Sequence, residues 1–205
     1  MADRLASDVH PGPASISDFG CWMAAEQQRI FLLCRRLLQD PDEADSATQD
    51  VFLKAYRALN KGNGELNGHL HEPRAWLTRI AVNTCLDRLR SKSWKMWRKR
   101  PLAEDEAIIL ERTTGGEPDA ERLLFSKQIG QRLELALGKL SSQQRAVFSL
   151  RHYETMPLED IATLLNKDIG TVKSHLFRAI TRMRKELQDL YQSPTLDQAR
   201  RNDGR

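Results

Sequence analysis

Apolar residues recur every three or four positions through most of this chain, and where the rhythm breaks, polar turns take over. Between Asp18 and Leu38, Ile30, Leu33, Cys34 and Leu37 share one side, the spacing of a helix buried along a single stripe. A second helix is predicted from Pro41 to about Leu59, with Ala44, Ala47, Val51, Phe52, Ala55 and Leu59 inward. "NKGNGELNGHLHE" follows, where three Gly and three Asn abolish any period and mark a loop. The rhythm resumes at about Pro73, and Leu77, Ile80, Ala81, Thr84 and Cys85 give the core side of a helix running into a basic segment. Further on, "LSSQQRAVFSLRHY" has Ser141 and, three residues later, Gln144, the spacing of a capping box that starts a helix. Pro157 then stands at the first position of a short helix with Leu158, Ile161, Ala162 and Leu165 inward. After the polar turn Asn166 to Gly170 comes a last helix, whose stripe is Val172, Leu176, Ala179, Ile180, Met183 and Leu187.

The other side of that last helix carries Lys173, Ser174, Phe177, Arg178 and Thr181. A solvated face normally mixes charges. An aromatic, two hydroxyls and two cations instead suit a DNA groove, where Arg and Ser reach base edges and phosphates and Phe packs on a thymine methyl. An ordinary basic surface helix is the competing reading. The short helix and tight turn before it shift the balance, since two helices so joined, the second basic on its outer face, form a helix-turn-helix.

A second unusual face lies on the helix that starts near Pro73. Trp76, Arg79, Asn83 and Arg90 fall within about 60° of one another, away from the core stripe. A stacking plane, a phosphate partner and a bidentate hydrogen-bonder together suit unstacked single-stranded bases. The alternative is a core Trp with an incidental Arg beside it.

Length and composition narrow the choice. At 205 residues there is room for two small domains. Aromatics are 6% and charged residues 29%, with Val and Ile sparse beside Leu and Ala, so the expected fold class is all-α. The net charge of +4 is mild; its placement matters more. Leu86 to Arg100 holds seven Lys/Arg, one acid and two Trp, whereas Asp40 to Asp50 holds five acids and no base. One polyanionic and one basic partner would explain that separation, as would two solvated faces. Cys21, Cys34 and Cys85 lack CxxC spacing and read as reduced, mostly structural thiols of a cytoplasmic protein. "HLHE" at 69 to 72 has no companion cluster at metal-ligand spacing, so no metal or other cofactor is expected. No signal peptide, long apolar run, phosphate loop or nucleophile motif stands out, and the chain is not read as an enzyme.

Two stretches carry a family resemblance. "LSSQQRAVFSLRHYETMPLEDIATLLNKDIGTVKSHLFRA" resembles domain 4 of bacterial sigma factors of the extracytoplasmic-function type, and "DPDEADSATQDVFLKAYRAL" followed by "RAWLTRIAVNTCLDRLR" resembles their domain 2. Two-component regulators share the "IA...TVK" pattern, so the ordered pair of motif sets carries the identification. It implies a sigma-70 family initiation factor organised as residues 1 to 17 without order, 18 to 97 as domain 2, 98 to 118 as a flexible linker, 119 to 191 as domain 4, and 192 to 205 as a tail.

The resemblance also implies roles. Asp45, Gln49, Asp50, Leu53 and Arg57 correspond to the surface that docks on the clamp helices of the largest subunit of core RNA polymerase, while domain 4 meets the flap. Trp76, Arg79 and Asn83 correspond to positions at the melted minus-ten element, with Lys54 and Tyr56 lining the same site and Arg88 and Arg90 completing the set. Lys173, Ser174, Phe177 and Arg178 correspond to the minus-35 readers, flanked by Thr171 and His175. Many relatives also have an anti-sigma partner. The loop at 60 to 72 departs from the family in length and in lacking its Phe residues, which leaves the preferred flipped base open. Trp94 and Trp97 are not a family requirement and read as core cover in preference to a DNA stack. The acidic linker suits either nucleic-acid mimicry in a basic channel or plain solvation. The alternatives to a sigma factor are a stand-alone helix-turn-helix regulator of duplex DNA and a sequestering antagonist.

Overall fold

In the computed structural model, the structure describes residues 19–61, 73–91 and 120–188. The expectations for residues 1–17, the loop from 62 onward, Trp94 and Trp97, the linker and the tail fall outside them. Seven helices and no strand make up the described residues. The chain divides into two compact units, Met1–Trp97 and Arg98–Arg205.

The first unit is built from α1 (Phe19–Leu38), α2 (Pro41–Lys61) and α3 (Pro73–Arg90), each packed on the other two. The stripes expected for α1 and α2 are all buried. α1 ends at Gln39, whose φ of 61° is the left-handed turn that stops a helix; its N–H donates to the Arg35 carbonyl at 2.8 Å. The next residue starts α2. The Asp40 carboxylate accepts from the Glu43 N–H at 2.9 Å, Pro41 gives up an N–H that would have no partner, and Asp42 and Glu43 face the positive end of the helix dipole.

α3 buries more than its expected stripe. Leu77, Ala81, Thr84 and Cys85 are inside as predicted, but Thr78, Val82 and Leu86 join them, and Ile80 is only half-buried. The reason is that α3 lies against both α1 and α2, so two adjoining sides are covered. A buried charge sits at its start: Glu26 of α1 is 1% exposed and meets Arg29 at 2.5 Å and Arg74 at 3.3 Å. Arg29 also donates to the Thr78 hydroxyl at 2.9 Å. A carboxylate without water needs such partners.

The second unit contains α4 (Ala120–Gly138), α5 (Ser142–His152), α6 (Leu158–Leu165) and α7 (Ile169–Glu186), and α7 packs on the other three. Ala136 and Leu137 at the end of α4, and Leu140 in the turn after it, enclose Ala179 and Met183 of α7, with Leu133, Phe148 and Leu187 alongside. The capping box is present: Ser141 Oγ accepts from the Gln144 N–H at 3.3 Å, and Gln144 Oε1 accepts from the Ser141 N–H at 3.1 Å. Pro157, expected as the first helical residue of α6, is instead its N-cap, with ψ of 152°. Leu164, not Leu165, is the third buried residue of that helix beside Ile161 and Ala162. Asn166, at φ 51°, ends α6 in the left-handed conformation, and its N–H returns to the last turn.

Candidate nucleic-acid interface

Asp168 starts α7 as its N-cap. One carboxylate oxygen accepts from the Thr171 N–H at 2.7 Å and the other from the Thr171 hydroxyl at 2.5 Å. Those two bonds, the hydroxyl first, hold the carboxyl below its usual range. Thr171, a candidate DNA contact, therefore has its hydroxyl proton committed to the cap. Beyond this turn Lys173, Ser174, Phe177, Arg178 and Thr181 all lie exposed, while Val172, Ala179 and Met183 are buried on the opposite side. Phe177 is 72% exposed, the most open of the large apolar side chains among the described residues. The Thr181 hydroxyl donates back to the Phe177 carbonyl at 2.9 Å.

His175 is half-buried on the flank of this face, and its Nδ1 is buried without a hydrogen-bond partner. Burial, then the nearby Lys167 and Arg178 charges, hold its pKa below the ordinary value. Its protonated form is thereby disfavoured beside two cations.

On α3, Arg79, Asn83 and Arg90 are exposed and Trp76 is half-buried, so the expected single-strand face does look outward. Asp87 shares it, and sequence reasoning missed this acid. Its carboxylate meets Arg90 Nη2 at 2.8 Å, which partly neutralises that cation. The helical spacing from Trp76, with Asp87 eleven residues on, could have revealed it.

Three of the single-strand candidates are not gathered on this face. Arg88 points toward α2, where Nη1 donates to Glu43 at 2.7 Å and Nη2 to Ser46 at 3.1 Å and to Asp50. Lys54 donates to Thr84 of α3 at 2.9 Å. Tyr56 lies about 160° around α2 from Lys54 and packs on Phe19, ring centroids 5.4 Å apart. Tyr56 instead shares the exposed side of α2 with Asp45, Gln49, Leu53 and Arg57. There Gln49 Nε2 donates to Asp45 at 2.9 Å, and Leu53, 45% exposed, offers an apolar contact among polar neighbours. Asp50 stands at the edge of that surface, engaged by Arg88.

Both faces fall inside matched family regions. The family model "Sigma-70 region 2" matches residues 22–95, and "Sigma-70, region 4" matches residues 130–183. The RNA polymerase sigma-H factor of Pseudomonas aeruginosa is 32% identical over 80% of this chain and 83% of its own. The chain belongs to the sigma-70 family.

Within that family it is of the extracytoplasmic-function type. The ECF RNA polymerase sigma factor SigW of Bacillus subtilis is 28% identical over 80% of this chain and 86% of its own. The ECF sigma-E factor of Escherichia coli K12 is 28% identical over 93% of this chain and 98% of its own. The fold is shared with the Bartonella quintana sigma factor RpoE, solved with the anti-sigma factor NepR, at a TM-score of 0.59 and 23% identity over 84% of this chain and 98% of that one. It is shared also with CnrH, solved with the cytosolic domain of CnrY, at a TM-score of 0.52 and 22% identity over 84% and 89%. This sigma factor serves transcription initiation. A stand-alone duplex regulator is not favoured, because it would leave the region 2 match unexplained. Among the described residues there is no cluster of His, Cys, Asp and Glu able to hold a metal, and no helix long and apolar enough to cross a membrane.

Proposed function

We propose that this sigma factor docks on core RNA polymerase through the exposed side of α2, reads the minus-35 element with α7, and captures unstacked minus-ten bases on the Trp76 face of α3. Asp45, Gln49, Leu53 and Arg57 form the docking surface, with Asp50 at its edge; the acid-rich start of α2 steers it toward a basic partner. Lys173, Ser174, Phe177 and Arg178 read duplex, flanked by Thr171 and His175. Trp76, Arg79 and Asn83 hold melted strand, and stacking with phosphate contacts offsets the cost of opening. Residues 18 to 97 and 119 to 191 act as the two functional domains, joined by the linker at 98 to 118. The protein works in the cytoplasm by binding alone, without an active site or cofactor. An anti-sigma factor is a further partner, of the kind found on the Bartonella quintana RpoE.

One observation carries this reading: α3 buries two adjoining sides yet leaves Trp76 half-open beside Asn83 and Arg79, which are both exposed. The experiment is reconstitution with core polymerase on a supercoiled promoter library. Binding with initiation is expected, and Leu53→Asp should abolish the first without unfolding the domain. That substitution is cleaner than one at Asp50, whose loss would also release Arg88. Tight duplex binding by the protein alone, with no affinity for core polymerase, would overturn the proposal.

A further inference from the structure

Two polar anchors hold α3 on the side away from Trp76. Glu26 of α1 is buried, and each of its carboxylate oxygens has a guanidinium: Oε2 meets Arg29 Nε at 2.5 Å and Oε1 meets Arg74 Nε at 3.3 Å. Arg29 in turn donates from Nη1 to the buried Thr78 hydroxyl at 2.9 Å. The network therefore grips α3 at two points one turn apart. Arg74 and Thr78 each lie about 160° around the helix from Trp76, and Asn83 lies only about 20° from it. We propose that Glu26 is a positioning residue for promoter opening: through Arg74 and, by way of Arg29, Thr78, it sets the rotation of α3 about its own axis and so turns Trp76, Arg79 and Asn83 outward.

The apolar side chains of α3 fix that rotation only loosely. Leu77 and Leu86 are both buried, yet they stand about 180° apart around the axis. The arc between them is lined by small buried residues, Thr78, Ala81, Val82 and Cys85. Hydrophobic burial is non-directional, so a modest turn of the helix exchanges one small contact for another. Ion pairs and hydrogen bonds are directional, and a buried carboxylate that loses a partner is strongly destabilising. The Glu26 network thus penalises a rotation that the apolar core tolerates. Its value lies in the uniqueness of the arrangement more than in net stability. Its bearing on opening rests on the single-strand role proposed above for Trp76.

The full-length protein is labelled with 5-fluorotryptophan, and the Trp76 fluorine signal is assigned with Trp76→Phe. Relaxation of that signal by a dissolved gadolinium chelate reads how open the ring is to solvent. In the triple variant Glu26→Leu, Arg29→Met, Thr78→Val, apolar side chains of similar size replace the network, so cooperative unfolding is retained. Arg74, whose side chain is 41% exposed, turns to water. The Trp76 signal should broaden or split and its relaxation should change. With core polymerase, permanganate reactivity of the melted strand should fall about tenfold, on the order of one lost base stack, while duplex binding by α7 is unchanged. Glu26→Gln, which keeps an acceptor for Arg29 and removes the charge, should give the same changes in smaller measure. A Trp76 signal and relaxation identical to the parent in both variants would overturn the proposal, because apolar packing would then set the rotation unaided. A changed signal with opening intact would uphold the grip on α3 and overturn the single-strand role of Trp76, so the two failures are told apart.

Discussion

Arg88 of α3 grips Asp50 of α2, the same guanidinium reaching Glu43 at 2.7 Å and Ser46 at 3.1 Å. A residue drawn from the basic segment therefore serves first as a clamp between two helices. Burial opposes its charge, and the bonds to Asp50 and Glu43 more than restore it. The Arg88 side chain is 21% exposed and that of Asp50 48%, so solvent screens much of the attraction. A double-mutant cycle on Arg88→Ala and Asp50→Ala, read by urea unfolding, should give a coupling of about 1 kcal/mol. Arg88→Lys should restore less than half of the loss, because a single ammonium cannot span three acceptors as the planar fork does. Zero coupling would reduce the clamp to a screened surface contact.

Trp76 is half-buried, so its removal tests stacking more than core packing. Trp76→Ala should slow promoter opening by the equivalent of about 1 to 3 kcal/mol, the worth of one aromatic platform for an unstacked base. Permanganate reactivity of the melted strand would read the defect. Duplex binding through α7 should stay within twofold of the parent, and equal loss of both would contradict the separation of duplex and single-strand roles.

Helix existence and the exposed faces of α3 and α7 were legible because a 3.6-residue period records which side a core must cover. Phe177 and Val172 fall on opposite sides by spacing alone, and the structure keeps them there. Side-chain destinations were less legible. Arg88 and Arg90 are two residues apart in one basic run, yet one turns to acids on α2 and the other to Asp87 on its own helix. That choice depends on which helix lies alongside, and no local pattern encodes it. Lys54 and Tyr56 diverge for the same reason, one reaching Thr84 of α3 and the other packing on Phe19 of α1.

The histidines of the second unit give a pH dependence. Folding lowers the pKa of His175 by burial and the Lys167 and Arg178 charges, and that of His152 by burial and Arg151. A group whose folded pKa is depressed below the unfolded value binds its proton more readily when unfolded, so acid favours unfolding. The contribution is present above the ordinary value of 6.5 and is lost as pH falls through the folded pKa values. Asp168 acts lower, in the carboxylate range, where protonation removes the cap of α7. Melting temperature should therefore fall in two steps on acidification, and the double variant His152→Gln, His175→Gln should lack the first. A first step of undiminished size in that variant would assign it to other groups.

Selectivity at the minus-35 element should rest on Arg178 and Phe177 in different ways. Arg178 is exposed and makes no ion pair within the described residues, so its fork is free to bridge two acceptors on a guanine edge. Arg178→Ala should cost about 1 to 3 kcal/mol at the cognate base and little elsewhere, flattening the preference at one position. Phe177 has no donor, and with 72% of its surface open it offers area for a thymine methyl or sugar. Phe177→Ala should weaken binding while leaving most of the preference intact, except where a thymine is read. Lys173→Ala supplies the contrast, because a phosphate contact should be lost about equally from all sequences and the salt slope should shrink by about one. A selection on randomised duplexes with polymerase-bound protein, repeated at two salt concentrations, separates the three. If Arg178→Ala kept the parent sequence profile, its guanidinium would belong with Lys173 among the phosphate contacts, and base reading would pass to Ser174 and Phe177.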